Sequence, residues 1–163
     1  MVGDTSIDSY THTTLIGGMT KTPTMSVRLE NKQDFVGGAG IVAKHLQAAA
    51  AKVTFSTVLG NDQLADFALK DLKAAGVECT PIIDQTRPTT NKNAIVAGGY
   101  NLLKIDTLDN RSISERILKT LCDQVAETPA DIVVYSDFRH GMFNRETIPP
   151  LIKALPPDVF RVA

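Results

Sequence analysis

With 163 residues, the chain is long enough for one domain with a sizeable core, and its 43% hydrophobic, 21% charged and 6% aromatic residues match an ordinary water-soluble globular protein. Seventeen basic against 18 acidic residues, with no basic stripe along any segment, argue against nucleic acid as a partner, and no apolar run approaches the ~20 residues of a membrane span. Cys79 and Cys122 stand far apart without a Cys/His partner pattern, which argues against a disulfide framework or a zinc site and makes a reducing cytoplasm the expected location.

The opening residues lack the charged-then-apolar pattern of a signal peptide. Met1-Val2-Gly3-Asp4 reads instead as the end of a strand. Two β-suited stretches follow, Tyr10 to Ile16 and Pro23 to Phe35, separated by a Gly17-Gly18 turn. Gly37-Gly38-Ala39-Gly40 then opens an alanine-rich helix reaching about Ala51. Residues 52–59 form a β-branched strand, and 62–75 an amphipathic helix with Leu64, Phe67, Ala68 and Leu72 at helical spacing, stopped by Gly76.

A strand over 77–83 and a polar loop over 84–90 come next. Strands over 91–97 and 100–105 are joined at Gly98-Gly99, a two-residue hairpin turn. Ser112 with Glu115 reads as a capping box before a helix carrying Ile117, Leu118, Leu121 and Val125. The apolar stretch Asp131 to Tyr135 predicts a strand covered on both faces. A helix over 144–154 follows, and a strand starts at Val159. Since both ends read as interrupted strands, the chain is expected to be a fragment of a longer fold.

From Gly37 onward helices and strands alternate, which predicts an α/β layered fold with a mostly parallel central sheet. The early strands and the later hairpin, approximately 10–35 and 91–106, interrupt this order and are expected to pair as a small β flap over a cleft. The whole of 1–163 reads as one domain with that lid inserted.

The residues suited to chemistry cluster after predicted strand ends, where open α/β sheets place ligands. Asp4 and Asp8 lie just past the first strand. A carboxylate there can accept two hydrogen bonds from vicinal hydroxyls, or it can simply cap a turn. Gly37 and Gly38 let backbone approach a ligand at a helix start, or merely form a tight strand-to-helix turn. The stretch is neither a Walker A loop, having no Gly-Lys-Ser/Thr, nor a Gly-x-Gly-x-x-Gly fingerprint. Lys92, Lys104, Arg87, Arg139 and His140 could supply positive charge, Lys92 best of them because it would lie on a flap strand facing the cleft. Asp137 directly follows the buried strand, where it is either a ligand contact or a loop cap. His12 and His45 show no partner.

Val2-Gly3-Asp4 with Asp8, Gly37-Gly38-Ala39-Gly40 with Gly60, Arg87-Pro88-Thr89-Thr90 through Lys92 to Leu102-Leu103-Lys104-Ile105-Asp106, and Ser136-Asp137-Phe138 occur here in one order and spacing. In these the chain resembles the amino-terminal half of ribokinase-type (PfkB) carbohydrate kinases, nearest to the kinase half of the bifunctional heptose-7-phosphate kinase/ADP-heptose synthase. The resemblance implies a partial ribokinase-like fold that holds a sugar or sugar phosphate through Asp8, Gly37, Gly38, Lys92 and Asp137. It implies ATP and magnesium for the parent enzyme, with none expected on this fragment, whose catalytic half would lie elsewhere. Oligomeric state stays open, though a flap sheet leaves an edge that a second copy can cover to make a homodimer. The chain departs from the family where Asn is usual and Ile41 stands, and where Arg139-His140-Gly141 replaces Gly-Lys-Gly. Ile41 supports an alternative, a non-catalytic sugar-binding or dimerisation module derived from such a kinase.

Overall fold

The structure, a computed structural model, describes residues 1–17 and 24–163. Nine strands and four helices alternate among them, in two sheets. The central sheet contains β1 (Val2–Gly3), β4 (Thr54–Leu59), β5 (Glu78–Ile83), β8 (Ile132–Ser136) and β9 (Phe160–Val162), in the order β5-β4-β1-β8-β9. Every pairing in it is parallel. The chain therefore builds outward from β1 to β5, then returns to add β8 and β9 on the other side. The strand order reverses between β1 and β8.

The second sheet, the lid, has the order β3-β2-β6-β7. It is made of β2 (Thr5–Gly17), β3 (Ser26–Gly38), β6 (Asn91–Ala97) and β7 (Tyr100–Thr107). Both of its first strands start or end beyond the expected bounds, because β2 leaves the core directly after Asp4 and β3 returns to it at Gly38. The expected turn partner Gly18, and Pro23, lie outside the described residues. Gly98 and Gly99 have φ of 58° and 83°, the positive pair that a tight two-residue hairpin requires.

Two apolar layers flank the central sheet. On one face α1 (Ala39–Ala48) and α2 (Gln63–Ala74) bury Ala39, Ala43, Ala68 and Leu72 against Phe55, Val53, Ile7 and Val36. On the other, α3 (Glu115–Glu127) and α4 (Ile148–Lys153) bury Ile117, Leu121, Val125 and Leu151 against Val2, Ile82 and Val133. The expectation that β8 is covered on both faces fails. Val133 is buried, but Ile132, Phe160 and Val162 are 54%, 65% and 42% exposed. Parallel register sets Ile132 beside Phe160 and Val134 beside Val162. The α1/α2 layer packs on Phe55 of β4, and β9 is the last strand of the sheet on the other side.

Local chemistry sets the helix ends. Asp62 caps α2 by accepting from the Ala65 amide at 3.0 Å. The cap of α3 is Ser114, which accepts from the Ile117 amide, not Ser112. The Ser112 segment is otherwise engaged: its hydroxyl accepts from Asn144 Nδ2 at 2.8 Å, and the Ile113 amide donates to the Gly141 carbonyl. Helix α4 starts four residues later than expected because the Asn144 side chain accepts from the Glu146 and Thr147 amides, closing a turn first.

Phe55 is fully buried between β4 and the α1/α2 layer. Phe55→Ala is expected to cost about 3–5 kcal/mol through lost transfer free energy and the cavity left behind. Urea unfolding followed by circular dichroism measures it, and a cost under about 1 kcal/mol would contradict this packing.

Candidate functional site

The site grows out of the junction between β1 and the lid. At Gly38 the chain turns from β3 into α1 with φ 57°, a left-handed conformation suited to glycine. The Ala39 amide then donates to the Asp4 carbonyl at 2.8 Å, docking the helix start against the end of β1. Gly37 precedes it, paired with Ser6 across the β2–β3 ladder. A methyl at Gly37 would overlap the Asp8 carboxylate and come within 3.0 Å of the Ser6 hydroxyl. Asp8, Ser6 and Gly37 thus share one face of the lid, the face opposite the buried Ile7.

The ladders continue the row. Asp8 is in register with Phe35 on β3 and with Lys92 on β6, and Lys92 with Asp106 on β7. Phe35, Asp8, Lys92 and Asp106 therefore form a line across all four lid strands, with one cation between two carboxylates. Tyr10, two residues beyond Asp8, packs edge-to-face on Phe35 with ring centroids 5.9 Å apart. Of the residues singled out in the sequence, Asp8, Gly37, Gly38 and Lys92 come together here. Tyr10, Phe35 and Asp106 were passed over. The two-residue spacing of Tyr10 from Asp8 was the available signal for the first, whereas the other two depend on strand register.

Asp137 sits on the loop after β8. Its carboxylate accepts from the Arg139 amide at 2.7 Å, in a turn where Arg139 has φ 61°. It also borders an apolar cavity of about 300 Å³ with Tyr135, Phe143, Ile148, Leu151 and Ile152. His140 is on the same loop, its Nδ1 3.0 Å from Asn110 Oδ1. Burial and the charge of Lys92 hold the imidazole below its ordinary value, while Asp4, Asp137 and Asp106 pull the other way.

Two residues that looked available for a ligand serve the framework instead. Asp4 is 2% exposed, and its carboxylate accepts from the amides of Phe138, His140 and Met142 at 3.0, 3.3 and 3.3 Å. Burial nonetheless pushes the Asp4 carboxyl above its ordinary range, against those three bonds. Arg87 does not face the cleft. Its guanidinium pairs with Asp84 at 2.8 Å, both side chains under 10% exposed, and donates to the carbonyls of Asp109, Ser112 and His140. Burial alone would raise Asp84, but hydrogen bonds from Thr86 and the guanidinium hold it below its usual value. Asp4 from below and Arg87 from above thus clamp the 137–142 loop. Lys104 and Arg139 are exposed.

The carboxyl ends of β1 and β8 meet at the strand-order reversal, where α/β sheets place ligands, and the lid leaves from the first of them. Residues 1–139 match the pfkB family of carbohydrate kinases. The chain belongs to that family. The bifunctional protein HldE of Desulfatibacillum aliphaticivorans is 30% identical over 158 residues, covering 94% of this chain and 32% of HldE. That of Helicobacter pylori is 31% identical over 133 residues, covering 80% and 28%. Among solved structures, a carbohydrate kinase from Agrobacterium tumefaciens superposes with TM-score 0.71 at 18% identity, covering 94% of this chain and 48% of that one. Escherichia coli phosphofructokinase-2 in complex with fructose-6-phosphate gives 0.70 at 19%, covering 99% and 53%. This pfkB-family chain thus spans about a third of the curated relatives it matches and about half of the solved ones.

Arg87→Ala is expected to cost about 3 kcal/mol or more, since it strands a buried Asp84 carboxylate, and to speed amide exchange in the 138–142 loop. Because folding lowers the Asp84 pKa, its contribution is complete above the ordinary carboxylate range and fades as pH falls through the depressed value. Urea unfolding with hydrogen exchange tests this, and an unchanged loop would refute the clamp.

Proposed function

We propose that this chain grips the acceptor, a sugar or sugar phosphate, in an ATP-dependent carbohydrate kinase that transfers phosphate to a sugar hydroxyl. The observation that carries the reading is the placement of Asp8 against Gly37 and beside Lys92 at the mouth of the cleft. A carboxylate there accepts hydrogen bonds from vicinal hydroxyls with charge assistance. The open backbone at Gly37 admits a hydroxyl close to it, and the half-exposed Tyr10–Phe35 pair offers an apolar wall to the C–H face of a sugar ring. Lys92 supplies the positive charge for a substrate that already bears phosphate. Asp137 is the acceptor on the opposite lip.

Among the described residues, no group of three or more His, Cys, Asp or Glu side chains could hold a metal ion. ATP and its magnesium belong to the parent enzyme, with the base that activates the acceptor hydroxyl. In this reading the chain contributes positioning. No described helix is long and apolar enough to cross a membrane, and the parent is proposed to work in the cytoplasm. The free edges of the lid, β3 and β7, with exposed Leu29, Leu103 and Ile105, are proposed to pair with a second copy. Ile41, half-buried on α1 where the family carries Asn, favours a second reading in which the chain binds sugar or dimerises without taking part in transfer.

Two experiments address this. Gly37→Ala pushes a methyl into the Asp8 carboxylate without backbone strain, and Asp8→Asn removes the charge. Each is expected to weaken sugar binding about tenfold or more in calorimetry, with Gly37→Ala shifting the unfolding midpoint little; unchanged affinity in both would sink the site. Separately, the 163-residue chain incubated with ATP, magnesium and sugars is expected to release no sugar phosphate beyond background. Measurable phosphorylation would sink the division of labour.

A further inference from the structure

His140 Nε2 is one of three buried polar side-chain atoms without a hydrogen-bond partner among the described residues. Such atoms are rare in folded proteins and call for a physical account. The other ring nitrogen supplies half of it. Nδ1 faces Asn110 Oδ1, an oxygen that can only accept; with the amide turned this way the contact favours the proton on Nδ1, and the neutral ring then presents Nε2 as a bare acceptor. The His140 amide is bonded to Asp4 and its carbonyl to Arg87, which holds the backbone in place while the ring turns about its side-chain bonds to meet a ligand. The charged groups around it are Lys92 on β6, Asp106 on β7, Asp4 at the start of the lid, and Asp137 on its own loop. Apart from Lys92, the charged groups around the ring are carboxylates, which accept.

We propose that His140 Nε2 accepts a hydrogen bond from a hydroxyl of the polyol bound beneath the lid, which makes His140 a residue that selects for a hydroxyl donor at that position. This rests on the acceptor-grip reading above. Acceptors at Asp8, Asp137 and Nε2 ask for O–H donors, which a sugar ring supplies on several carbons at once, and the ligand relieves a buried acceptor that the protein leaves bare. A lysine at this position would offer only donors. Protonation of Nε2 turns it from acceptor to donor, so affinity is constant while the ring is neutral and falls as pH drops through the imidazole value. By linkage, the bound sugar holds the proton off the ring. The depressed value in the free protein keeps the ring neutral at pH 7.

The test uses the whole chain with D-ribose, D-fructose and D-mannose as probes, followed by amide chemical shifts, and side-chain nitrogen shifts of His140 in the absence of sugar. Expected are the Nδ1–H tautomer and saturable binding of at least one sugar. Its affinity should be constant near pH 7.5 and fall as pH drops below the ordinary imidazole range. His140→Gln, which keeps an acceptor near Nε2, should hold affinity within about threefold and flatten that pH dependence, whereas His140→Lys should lose about tenfold at pH 7.5. If the lysine variant does not fold, the tautomer and the wild-type and glutamine pH series decide the matter. An Nε2–H tautomer, pH-independent binding, or affinity rising on acidification overturns the role of His140, while binding that remains sensitive to Asp8→Asn keeps the acceptor-grip reading. No saturable binding of any probe at any pH overturns both.

Discussion

The Asp4 carboxylate joins the two halves of the molecule. It sits where the chain first leaves the central sheet for the lid, and it accepts backbone amides from a loop 134 to 138 residues further along the sequence. Those bonds fix the end of β8 beside the end of β1, across the reversal of strand order. The Asp4 carbonyl meanwhile holds the first turn of α1. One residue therefore sets the relative positions of the lid strand carrying Asp8, the glycine turn, and the loop carrying Asp137 and His140. A buried carboxylate is costly unless it is fully bonded, and here the bonding partners are the loop that borders the cleft. The geometry of the cleft and the stability of the sheet junction cannot be varied independently.

Arg87 completes this arrangement from the opposite side. Its fork reaches Asp84 and three carbonyls from separate segments, so the 109–112 stretch, the His140 loop and the loop after β5 move as one piece. Gly141, with φ 96°, lies where a side chain would collide with the Arg111 carbonyl. The positive φ at Arg139 adds a residue held in a sparsely populated conformation by its surroundings. A loop with two unusual backbone conformations persists because a carboxylate and a guanidinium grip it from both sides.

Much of the architecture was legible from periodicity. The alternation of helices and strands, the Gly98-Gly99 hairpin, the helix stopped by Gly76 and the flap interrupting the layers all follow from local patterns. The failures have local physical causes as well. Ser112 with Glu115 reads as a capping box, and what moves the cap to Ser114 is a bond from Asn144 and another to Gly141, which no local pattern reveals. Asp131 to Tyr135 reads as a strand buried on both sides because its residues are apolar, yet what covers a strand depends on helices elsewhere in the chain. For the candidate site, Asp8 and Gly37 stand out in the sequence because they follow a strand end and open a helix, and Lys92 because it falls on a flap strand; the ladders bring the three together. Asp4 and Arg87 were misread for the reason that makes them structural. Charged residues are mostly exposed, and only the fold shows that these two are the buried exceptions.

The lid illustrates how core packing determines which side chains reach a ligand. Side chains alternate along a strand, so a register slip of one residue would turn Asp8 away from the cleft and bring Ile7 or Ser9 into it. Ile7 is wholly buried against the α1/α2 layer with Val36, its register partner on β3. That apolar contact pins the phase of the strand at its base, one residue from Asp8. The irregularities of the lid lie further out, between His12 and Thr13 on β2 and between Ile95 and Val96 on β6. Between the core and those bulges the ladders run without interruption, and this is the segment that carries the Phe35–Asp8–Lys92–Asp106 row. The distal lid can bend at its bulges while the row keeps its alignment, because the hydrophobic contact that fixes the row lies on the core side of them.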